Sequence, residues 1–459
     1  MPLILSGNVA TALGTGYDVA NSVRFNDDDN PKMVVTPSSS GTNAGKKYTL
    51  SAWVKFGNIG VDKTIWSCSS DTYIYISGAG VITCNFRRNG STNYEYGSSK
   101  KLKDPTAWYH IVLRVDTTDS TDADKVQVYV NGVEDTPATT TYQNMADDYE
   151  TGANVSGVEQ RIGVYSDGSL DFDGYMCELM MVDNQSLAPT EFGEYDGDSP
   201  TIWKPKDISG ISVGTNGYYL DFEDSSNLGN NAAGSGSADL TESNLAATDQ
   251  STDTCTNNFC TLNPLYNQYV DPTYSEGNLK ITAGSGWAGA KATMGVSAGK
   301  WYWELKLSGT MSSHQHGVQQ ENVNEGAQNP QNTTGSTSFY NHDGGEVNTD
   351  GSNTSADYGT LDDGDTLGIA LNMDGGSYGQ ITFYDNGNAI ASNINLSSSS
   401  TTVMPHFSID NSTVECNFGS PPYAISSGNA DGNGYGNFEY SVPSGYYSLC
   451  TKNLAEDGG

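Results

Sequence analysis

Basic residues are scarce in this sequence. Only 21 lysines and arginines stand against 55 aspartates and glutamates, which gives a formal net charge of −34 at pH 7. Nucleic-acid affinity comes largely from basic side chains that displace counterions from phosphates, so a chain of this charge repels nucleic acid. Anionic membrane surfaces repel it for the same reason. We therefore expect no nucleic acid among its partners.

Long apolar runs are also missing. No stretch reaches the roughly 20 apolar residues that a membrane-spanning helix needs. Residues 1–7 lack the basic region and the apolar length of a secretory signal peptide. These absences predict that the chain is made in a cytoplasm without an export signal and that it inserts into no membrane.

Residue patterns that support catalysis are sparse. Glycoside hydrolases need two carboxylates that face each other across a cleft, but Glu304 and Glu415 stand singly in strand-like runs. Only five histidines are present, and His110 lies inside a strand-like run where a hydrogen-bonded core role is expected. The seven cysteines fit no redox or zinc spacing and predict free thiols. We predict that the protein is not an enzyme, with a polysaccharide depolymerase as the enzymatic alternative.

The residues that are abundant favour β-structure. The chain has 28 tyrosines, which suit a pleated and half-buried surface, and 53 glycines, which supply turns. The strand-like run 125–130 ends in Asn131-Gly132, and the run 380–384 is followed by Asn386-Gly387; this dipeptide is a strong hairpin signal. No amphipathic helix of ten or more residues is evident. The pattern predicts an all-β protein with two β-sandwich domains in tandem.

Composition divides the chain into segments. The Asn/Gly/Ser/Thr/Ala-rich stretch that follows the first strand-rich block has no apolar periodicity and predicts a linker. Consecutive apolar residues near the start predict an arm that docks on a partner or on a neighbouring domain. The predicted segments are an N-terminal docking arm (1–16), a first sandwich (17–225), a linker (226–260), a second sandwich (261–450) and a C-terminal tail (451–459).

The first block resembles the laminin-G-like, or concanavalin A-like, jelly-roll domains. The resemblance is carried by four motifs in order: "YTLSAWV" at 48–54, "WYHIV" at 108–112, "VQVYVNG" at 126–132, and "FDGYMCEL" at 172–179 followed by "LAPTEF" at 187–192. The second block resembles SPRY domains, which are also concanavalin-like sandwiches. Its motifs are "KWYWELKL" at 300–307, "DGDTLGI" at 363–369 and "ITFYDNG" at 381–387.

The tandem arrangement itself resembles virion structural proteins of marine tailed bacteriophages. This resemblance implies a location on the virion surface, with other virion proteins as partners. It leaves the ligand undefined, because both domain types bind through variable loops. It also implies self-association, as a trimer if the protein is fibre-like.

Two groups of residues are candidate metal ligands. Asp27 and Asp29 lie in an Asn/Asp-rich turn after the first sandwich strand, and the laminin-G-like resemblance implies calcium in such loops. His314 and His316 would share one face of a strand, where two imidazoles can bind a transition metal. The alternatives are a solvated turn for the aspartates and a metal-free polar strand for the histidines.

Candidate ligand-binding residues lie in the second block. Trp287 stands in a Gly-rich loop, where an exposed indole could stack on a sugar. A polar tract at 317–359 reads as a long surface loop, and it contains His342 and Asp343. Side chains that both donate and accept hydrogen bonds suit sugar hydroxyls. We therefore expect Trp287, His342 and Asp343 to contribute to a ligand site.

These observations predict a virion surface protein of the adhesin or tail-fibre type, which binds a host-surface glycan or protein through sandwich loops. The alternative is a capsid decoration or head-fibre subunit without a ligand of its own. The chain has no coiled-coil heptads and no β-helix repeat, so it is not expected to form a long fibre shaft.

Overall fold

We describe the protein from a computed structural model. It describes residues 16–69, 72–88, 93–197, 199–266, 270–321, 323, 333–354, 356–397 and 401–458, together with the backbone of residues 4–5. Strands dominate, and the prediction of an all-β protein is confirmed. The described chain forms two compact units that divide between Thr256 and Asn257.

The first unit packs two eight-stranded sheets around one apolar core. Its longest strands lie side by side at the centre of one sheet, where Lys47–Phe56 pairs with both Tyr109–Asp116 and Gly174–Asp183. That sheet contains, in spatial order, Val133–Glu134, Val126–Val130, Tyr109–Asp116, Lys47–Phe56, Gly174–Asp183, Ser22–Phe25 and Gln250–Ser251, with Tyr218–Leu220 paired to Gly174–Asp183. The facing sheet contains Pro137–Thr140, Tyr94–Lys101, Val81–Phe86, Thr72–Ile76, Lys63–Cys68, Gln160–Ile162, Lys32–Val35 and Thr241–Ser243.

The second unit repeats this two-layer plan around its own core. Its larger sheet contains, in spatial order, Thr273–Ser275, Lys280–Ala283, Ser412–Asn417, Lys300–Gly309, Thr366–Asn372, Gln380–Asp385 and Asn388–Asn395, with Tyr447–Ser448 paired to Lys300–Gly309. Its smaller sheet contains Ala288–Lys291, Val403–Ile409, His314–Gln320, Ser336–Tyr340, Glu346–Thr349 and Ser352–Asn353.

Short elements complete both units. Gly193–Tyr195 pairs with Trp203–Pro205 in the first unit, and Ile4–Leu5 pairs in parallel with Met294–Gly295 in the second. Single 3-10 turns span Asp27–Asp29, Asp122–Asp124, Thr141–Asn144, Pro189–Glu191, Ala247–Asp249 and Met311–Ser313. An α-helix, Thr451–Asp457, follows the last strand.

The structure corrects the predicted linker at 226–260. Within this stretch Thr241–Ser243 pairs with Lys32–Val35, and Gln250–Ser251 pairs with Ser22–Phe25. The segment therefore adds a strand to each sheet of the first unit. Its polar composition misled the prediction because edge strands bury little of their surface and need no apolar periodicity.

Two further predicted segments need correction, and a third is described only in part. The C-terminal tail forms a helix whose Leu454 is buried in the second core. The tract 317–359 is not one surface loop, because it supplies the strands Ser336–Tyr340 and Glu346–Thr349; residues 322, 324–332 and 355 lie outside the described residues. Of the predicted arm at 1–16, Ile4–Leu5 pairs with a strand of the second unit, while residues 1–3 and 6–15 lie outside the described residues.

Candidate functional site

Trp287 is the last residue of a glycine-rich loop, directly before the strand Ala288–Lys291 of the smaller sheet in the second unit. The backbone N–H of Gly286 donates to Asp410 Oδ1 at 2.8 Å, which anchors the loop to the end of the strand Val403–Ile409. Gly286 has φ of 109°, a conformation that L side chains rarely adopt. The indole of the next residue, Trp287, is half-buried.

Tyr340 and His342 lie beside this indole. The rings of Tyr340 and His342 stack with centroids 5.1 Å apart and an interplanar angle of 11°. Trp287 meets the Tyr340 ring edge to face, with centroids 5.9 Å apart and planes at 67°. Both ring pairs have the spacing that aromatic pairs favour. The three rings form a continuous, partly exposed group that we call the aromatic platform.

A buried asparagine holds the platform in place. Asn341 lies between the two stacked residues and is 3% exposed. Its Nδ2 donates to the carbonyls of Met311 and Leu361, at 2.9 and 3.0 Å, and its Oδ1 accepts from the N–H of Leu361 at 2.8 Å. All of its side-chain hydrogen-bonding groups are used, so the backbone on either side of it is fixed.

The platform borders two carboxylates. His342 Nδ1 lies 3.2 Å from Asp343 Oδ2, and these side chains are 40% and 75% exposed. The pKa of the Tyr340 phenol is raised, first by burial and then by the nearby charges of Glu346 and Asp343. The phenol therefore stays protonated and can donate a hydrogen bond. The arrangement combines flat apolar rings with one hydroxyl donor and two carboxylate acceptors.

The sequence pointed to Trp287, His342 and Asp343 separately, and the structure brings them together through a residue that it missed. Tyr340 is the link between the indole and the imidazole. A signal for it existed, because Tyr340 ends the run 336–340 of strand-forming residues. The prediction of one long loop over 317–359 concealed that strand.

The imidazole rings of His314 and His316 are neighbours, as predicted, but they are hydrogen-bonded to each other. His314 Nε2 donates to the carbonyl of Ser308 at 3.1 Å, so His314 Nδ1 accepts from His316 Nε2 at 3.1 Å. The two nitrogens that face each other are thereby used, and both side chains are fully buried. Burial lowers the pKa of His314 to about 4 and that of His316 well below its ordinary value. The predicted transition-metal site is not formed by this pair.

Asp27 and Asp29 have different neighbours. Asp29 Oδ2 accepts a hydrogen bond from Asn26 Nδ2 at 3.1 Å. Burial raises the pKa of Asp173 to about 7, and the nearby charge of Asp27 raises it further. The Lys63 ammonium lowers the pKa of Asp173. Lys63 supplies local positive charge that a cation would otherwise bring. Calcium binding at Asp27 and Asp29 therefore stays a prediction.

Among the described residues, no three His, Cys, Asp or Glu side chains are placed to hold a metal ion. Within the same part of the chain, no helix is long and apolar enough to cross a membrane.

The first unit contains a buried Ser–His contact that resembles part of a catalytic dyad. His110 Nε2 lies 2.8 Å from Ser51 Oγ, and Trp203 Nε1 donates to His110 Nδ1 at 2.9 Å. An indole N–H can only donate, so Nδ1 is unprotonated and the neutral ring carries its proton on Nε2. His110 therefore donates to Ser51 and has no lone pair to accept the serine proton. Burial lowers the pKa of His110 to about 3, and its predicted role as a hydrogen-bonded core histidine is confirmed.

Comparison with family models assigns both sandwiches. Residues 28–191 match the Laminin_G_3 family, described as the concanavalin A-like lectin/glucanases superfamily, and residues 300–421 match the SPRY domain. The chain carries a concanavalin A-like domain followed by a SPRY domain. This confirms the predicted fold class of two concanavalin-like sandwiches in tandem. A search of curated proteins returns no match.

Parts of this chain are similar to several solved structures. The SPRY domain of human HERC1 is 18% identical, with a TM-score of 0.29, and the alignment covers 34% of this chain and 96% of that one. A heptameric SAP-like pentraxin from Limulus polyphemus is 19% identical, with a TM-score of 0.28, covering 38% of this chain and 80% of the pentraxin. The aromatic platform lies in the SPRY domain or directly before it in sequence, since Trp287 precedes residue 300.

Proposed function

We propose that this protein is a non-enzymatic binding protein that recognises a neutral glycan at the aromatic platform of its SPRY domain. The observation that carries the proposal is the stacking of Tyr340 on His342 with Trp287 at its edge, on a surface that remains partly exposed. Flat rings match the apolar faces of sugar rings, and the polar tips of tyrosine and tryptophan can bond hydroxyls.

The charge around the platform favours a neutral sugar. Asp343 is largely exposed, Glu346 lies on the adjacent strand, and the whole chain carries a net charge of −34. A ligand with carboxylate or sulfate groups would be repelled by these charges. Neutral hexoses avoid this repulsion, and their hydroxyls can donate to the two carboxylates.

Titration of the full chain with a panel of neutral and acidic oligosaccharides tests this proposal. We expect binding to neutral members and at least tenfold weaker binding to acidic ones. Trp287→Ala and His342→Ala should each weaken binding about tenfold, which corresponds to about 1.4 kcal/mol. Tyr378→Ala is the matched control, since Tyr378 is an exposed tyrosine of the same unit and lies between two strands of the larger sheet, whereas the platform lies beside the smaller one. Equal binding by the control and the platform variants would refute the site.

The enzymatic alternative is a polysaccharide depolymerase. The family description of the first domain includes glucanases as well as lectins. Against hydrolysis, Glu178 is buried beneath the hydroxyl of Tyr219, and the tautomer of His110 prevents it from activating Ser51. Incubation of the protein with neutral and acidic polysaccharides should release no reducing ends. Any protein-dependent release would favour the depolymerase.

We further propose that the protein acts on the surface of a virus particle, where the glycan would belong to the host. This placement rests on the resemblance of the tandem to tailed-phage structural proteins and on the high acidity, which suits a crowded surface. Mass spectrometry of purified particles and antibody labelling in electron micrographs would locate the chain. A decoration subunit would label the capsid, whereas an attachment protein would label the tail or fibres.

Self-association is part of this proposal. A homo-oligomer, a trimer if the protein is fibre-like, would present several platforms together and raise the effective affinity of weak sugar contacts. Sedimentation equilibrium of the full chain measures this directly. A monomer at micromolar concentration would contradict self-association of the free chain.

A further inference from the structure

Two cysteines of the first unit face each other without being bonded. Cys177 lies in the central strand Gly174–Asp183, opposite Trp53, and is fully buried. Cys255 follows the edge strand Gln250–Ser251 and is half-buried. Their sulfur atoms are 3.6 Å apart, although the residues are separated by 78 positions in the chain. All seven cysteines of the protein are free thiols in this structure.

The segment that carries Cys255 is held firmly on its N-terminal side. Asp253 forms a buried ion pair with Lys55, with Oδ2 and Nζ 2.7 Å apart. Trp108 Nε1 donates to the other carboxylate oxygen of Asp253 at 3.1 Å. Ser22 Oγ donates to the Asp253 carbonyl at 2.6 Å. The backbone two residues before Cys255 is therefore anchored to three different parts of the sheet.

It is also held on its C-terminal side. The backbone N–H of Val19 donates to Thr256 Oγ1 at 3.0 Å. Cys255 packs with Val19, Trp53, Cys177 and Trp203 in a small apolar cluster. Because both flanks are fixed, the sulfur contact is a property of the folded unit, and the two thiols remain neighbours.

We propose that Cys177 and Cys255 are a disulfide-forming pair, which cross-links the last segment of the first domain to its central strand under oxidising conditions. A disulfide requires the sulfurs to approach to about 2.05 Å, which is about 1.5 Å closer than the contact in the reduced protein. Side-chain rotation is the motion that closes such a gap when the backbones are already adjacent.

The reaction balances with a small disulfide such as oxidised glutathione as the oxidant. Cys255 is the more exposed thiol; its thiolate attacks one glutathione sulfur and releases the other as a thiolate. The Cys177 thiolate then attacks the Cys255 sulfur, forms the protein disulfide and releases the second glutathione. The two protein thiols lose two protons and two electrons, and one oxidised glutathione becomes two reduced molecules.

The rate of this reaction depends on pH. Burial raises the pKa of the Cys255 thiol well above its ordinary value, and the neighbouring Cys177 raises it further. Thiolate is the attacking species, so oxidation is slow at neutral pH and accelerates in mild alkali. A reducing cytoplasm keeps the pair as thiols, and an oxidising exterior favours the bond.

The cross-link would fasten a segment that completes both sheets. Residues 241–251 supply an edge strand to each sheet, and they follow Cys177 by more than 60 positions. Closing a loop of this length removes conformational entropy from the unfolded chain. The oxidised protein should therefore melt several degrees higher than the reduced protein, about 2–8 °C for a domain of this size.

Thiol counting and peptide mapping of the full chain test the proposal. After treatment with oxidised glutathione at mild alkaline pH, denatured protein should contain five free thiols where the reduced protein contains seven. Digestion without reductant should yield one linked peptide that joins Cys177 and Cys255. Reduction should return the count to seven and the melting temperature to its starting value.

Variants separate this pair from the other cysteines. Cys255→Ser should abolish the linked peptide and the shift in melting temperature, and Cys177→Ala should do the same if it folds. Cys450→Ala is the control, because this buried cysteine lies in the second unit and should leave the cross-link unchanged. Peptide mapping of the unmodified protein is decisive even if Cys177→Ala fails to fold. Seven thiols after oxidation, a different linked pair, or glutathione retained on Cys255 would each overturn the proposal.

Discussion

An Asn-Gly hairpin occurs in each compact unit, Asn131-Gly132 in the first and Asn386-Gly387 in the second. All four residues have positive φ, between 46° and 79°, as a tight type I′ turn requires. In each hairpin the asparagine Oδ1 accepts from the backbone N–H at one end of the neighbouring strand, that of His110 at 2.8 Å and that of Thr366 at 3.0 Å. The two turns are built alike down to the side-chain hydrogen bond.

The hairpins differ in what lies against the glycine. Trp203 covers Gly132 and donates to the imidazole of His110. Tyr440 covers Gly387, and its backbone N–H donates to the carboxylate of Glu304 at 2.8 Å. A local motif thus determines the turn, while residues distant in sequence decide whether a buried imidazole or a buried carboxylate lies next to it. The difference can be tested by substitutions at equivalent positions.

Alanine at the hairpin glycines should have the largest effect. A Cβ at Gly132 would lie 2.4 Å from the Trp203 ring, and one at Gly387 would lie 2.6 Å from the Tyr440 ring. Both covering side chains are hydrogen-bonded, Trp203 to His110 and the Tyr440 hydroxyl to Asn386 Oδ1 at 3.1 Å. Trp203 is buried, whereas Tyr440 is only half-buried and has more room to shift. We expect Gly132→Ala to destabilise the first unit by about 2–4 kcal/mol and Gly387→Ala to destabilise the second by about 1–2 kcal/mol. Peptide-resolved hydrogen exchange of the full chain measures each unit separately.

Gly157→Ala and Gly445→Ala are the controls for backbone strain alone. Both glycines have positive φ, 74° and 77°, and no atom lies within 4 Å of an added Cβ. Each substitution should lower the free energy of unfolding of its unit by about 1 kcal/mol. If Gly132→Ala destabilised the first unit no more than Gly157→Ala, the Trp203 ring would be free to move aside. The proposed difference between the hairpins would then be contradicted.

Amide substitution of the two buried glutamates should have the next largest effect. Glu304 uses both carboxylate oxygens as acceptors, Oε1 from the N–H of Tyr440 and Oε2 from the N–H of Glu439 at 2.9 Å. Glutamine would place an N–H₂ group against one of these N–H donors, so Glu304→Gln should destabilise the second unit by about 2–3 kcal/mol. Urea denaturation at pH 7 measures this loss.

Glu178→Gln is the matched change in the first unit. Both oxygens of Glu178 accept from the rotatable hydroxyl of Tyr219, at 3.0 and 2.9 Å. Burial raises the pKa of Glu178 to about 8, so the neutral form already predominates at pH 7. The variant should change the stability by less than about 1 kcal/mol. Equal losses for the two glutamates would show that the difference in their donors is unimportant.

These comparisons show which features the sequence could predict. The hairpins, the all-β class and the two sandwiches follow from local patterns, because strand alternation and turn residues act over a few positions. The extent of the first domain did not follow. Its last strands, Thr241–Ser243 and Gln250–Ser251, lie on sheet edges where polar residues suffice.

The candidate site was predictable only in part. Trp287 and His342 have recognisable residue types in loop-like surroundings, so composition could mark them. Their meeting depends on the order of strands in the smaller sheet, where Ala288–Lys291 pairs with the remote strand Val403–Ile409, and single-sequence patterns do not contain such pairings. The hydrogen bond between His314 and His316 also depends on the Ser308 carbonyl, six residues before His314, because this carbonyl fixes the tautomer of His314.

Acid should shift the stabilities of the two units in opposite directions. The pKa values of Asp173 and Glu178 are raised to about 7 and 8, chiefly by burial, so the folded first unit binds more protons than the unfolded chain between about pH 4 and 8. Its stability therefore rises as pH falls through this window. In the second unit, burial lowers the pKa of His314 to about 4 and those of His316 and His406 well below 6.5. In this unit the unfolded chain binds more protons than the folded one below pH 6.5. The stability of the second unit therefore decreases as pH falls.

Hydrogen exchange at pH 7.5 and pH 5, corrected for intrinsic rates, should show this divergence. We expect about 1–3 kcal/mol in each direction, reduced in the first unit by the buried His110 and in the second by Glu304, whose pKa is raised. Asp173→Asn should diminish the gain of the first unit, and Asp124→Asn, at an exposed position, should not. Parallel shifts in both units would mean that overall surface charge, and not the buried groups, controls the response.

The smallest expected effect tests the tautomer of His110. Trp203→Phe keeps a ring against Gly132 but removes the N–H that donates to His110 Nδ1. Losing this hydrogen bond should cost about 1 kcal/mol. In the parent protein, nitrogen NMR of His110 should show an unprotonated Nδ1 and a protonated Nε2, and the Nδ1 resonance should move toward that of a non-hydrogen-bonded nitrogen in the variant. Ser51→Ala, which removes the partner of Nε2 at 2.8 Å, should leave Nδ1 unchanged. A proton on Nδ1 in the parent would reverse the assignment: Nε2 could then accept a proton from Ser51, and this contact would become a candidate nucleophile that the proposed binding function has no use for.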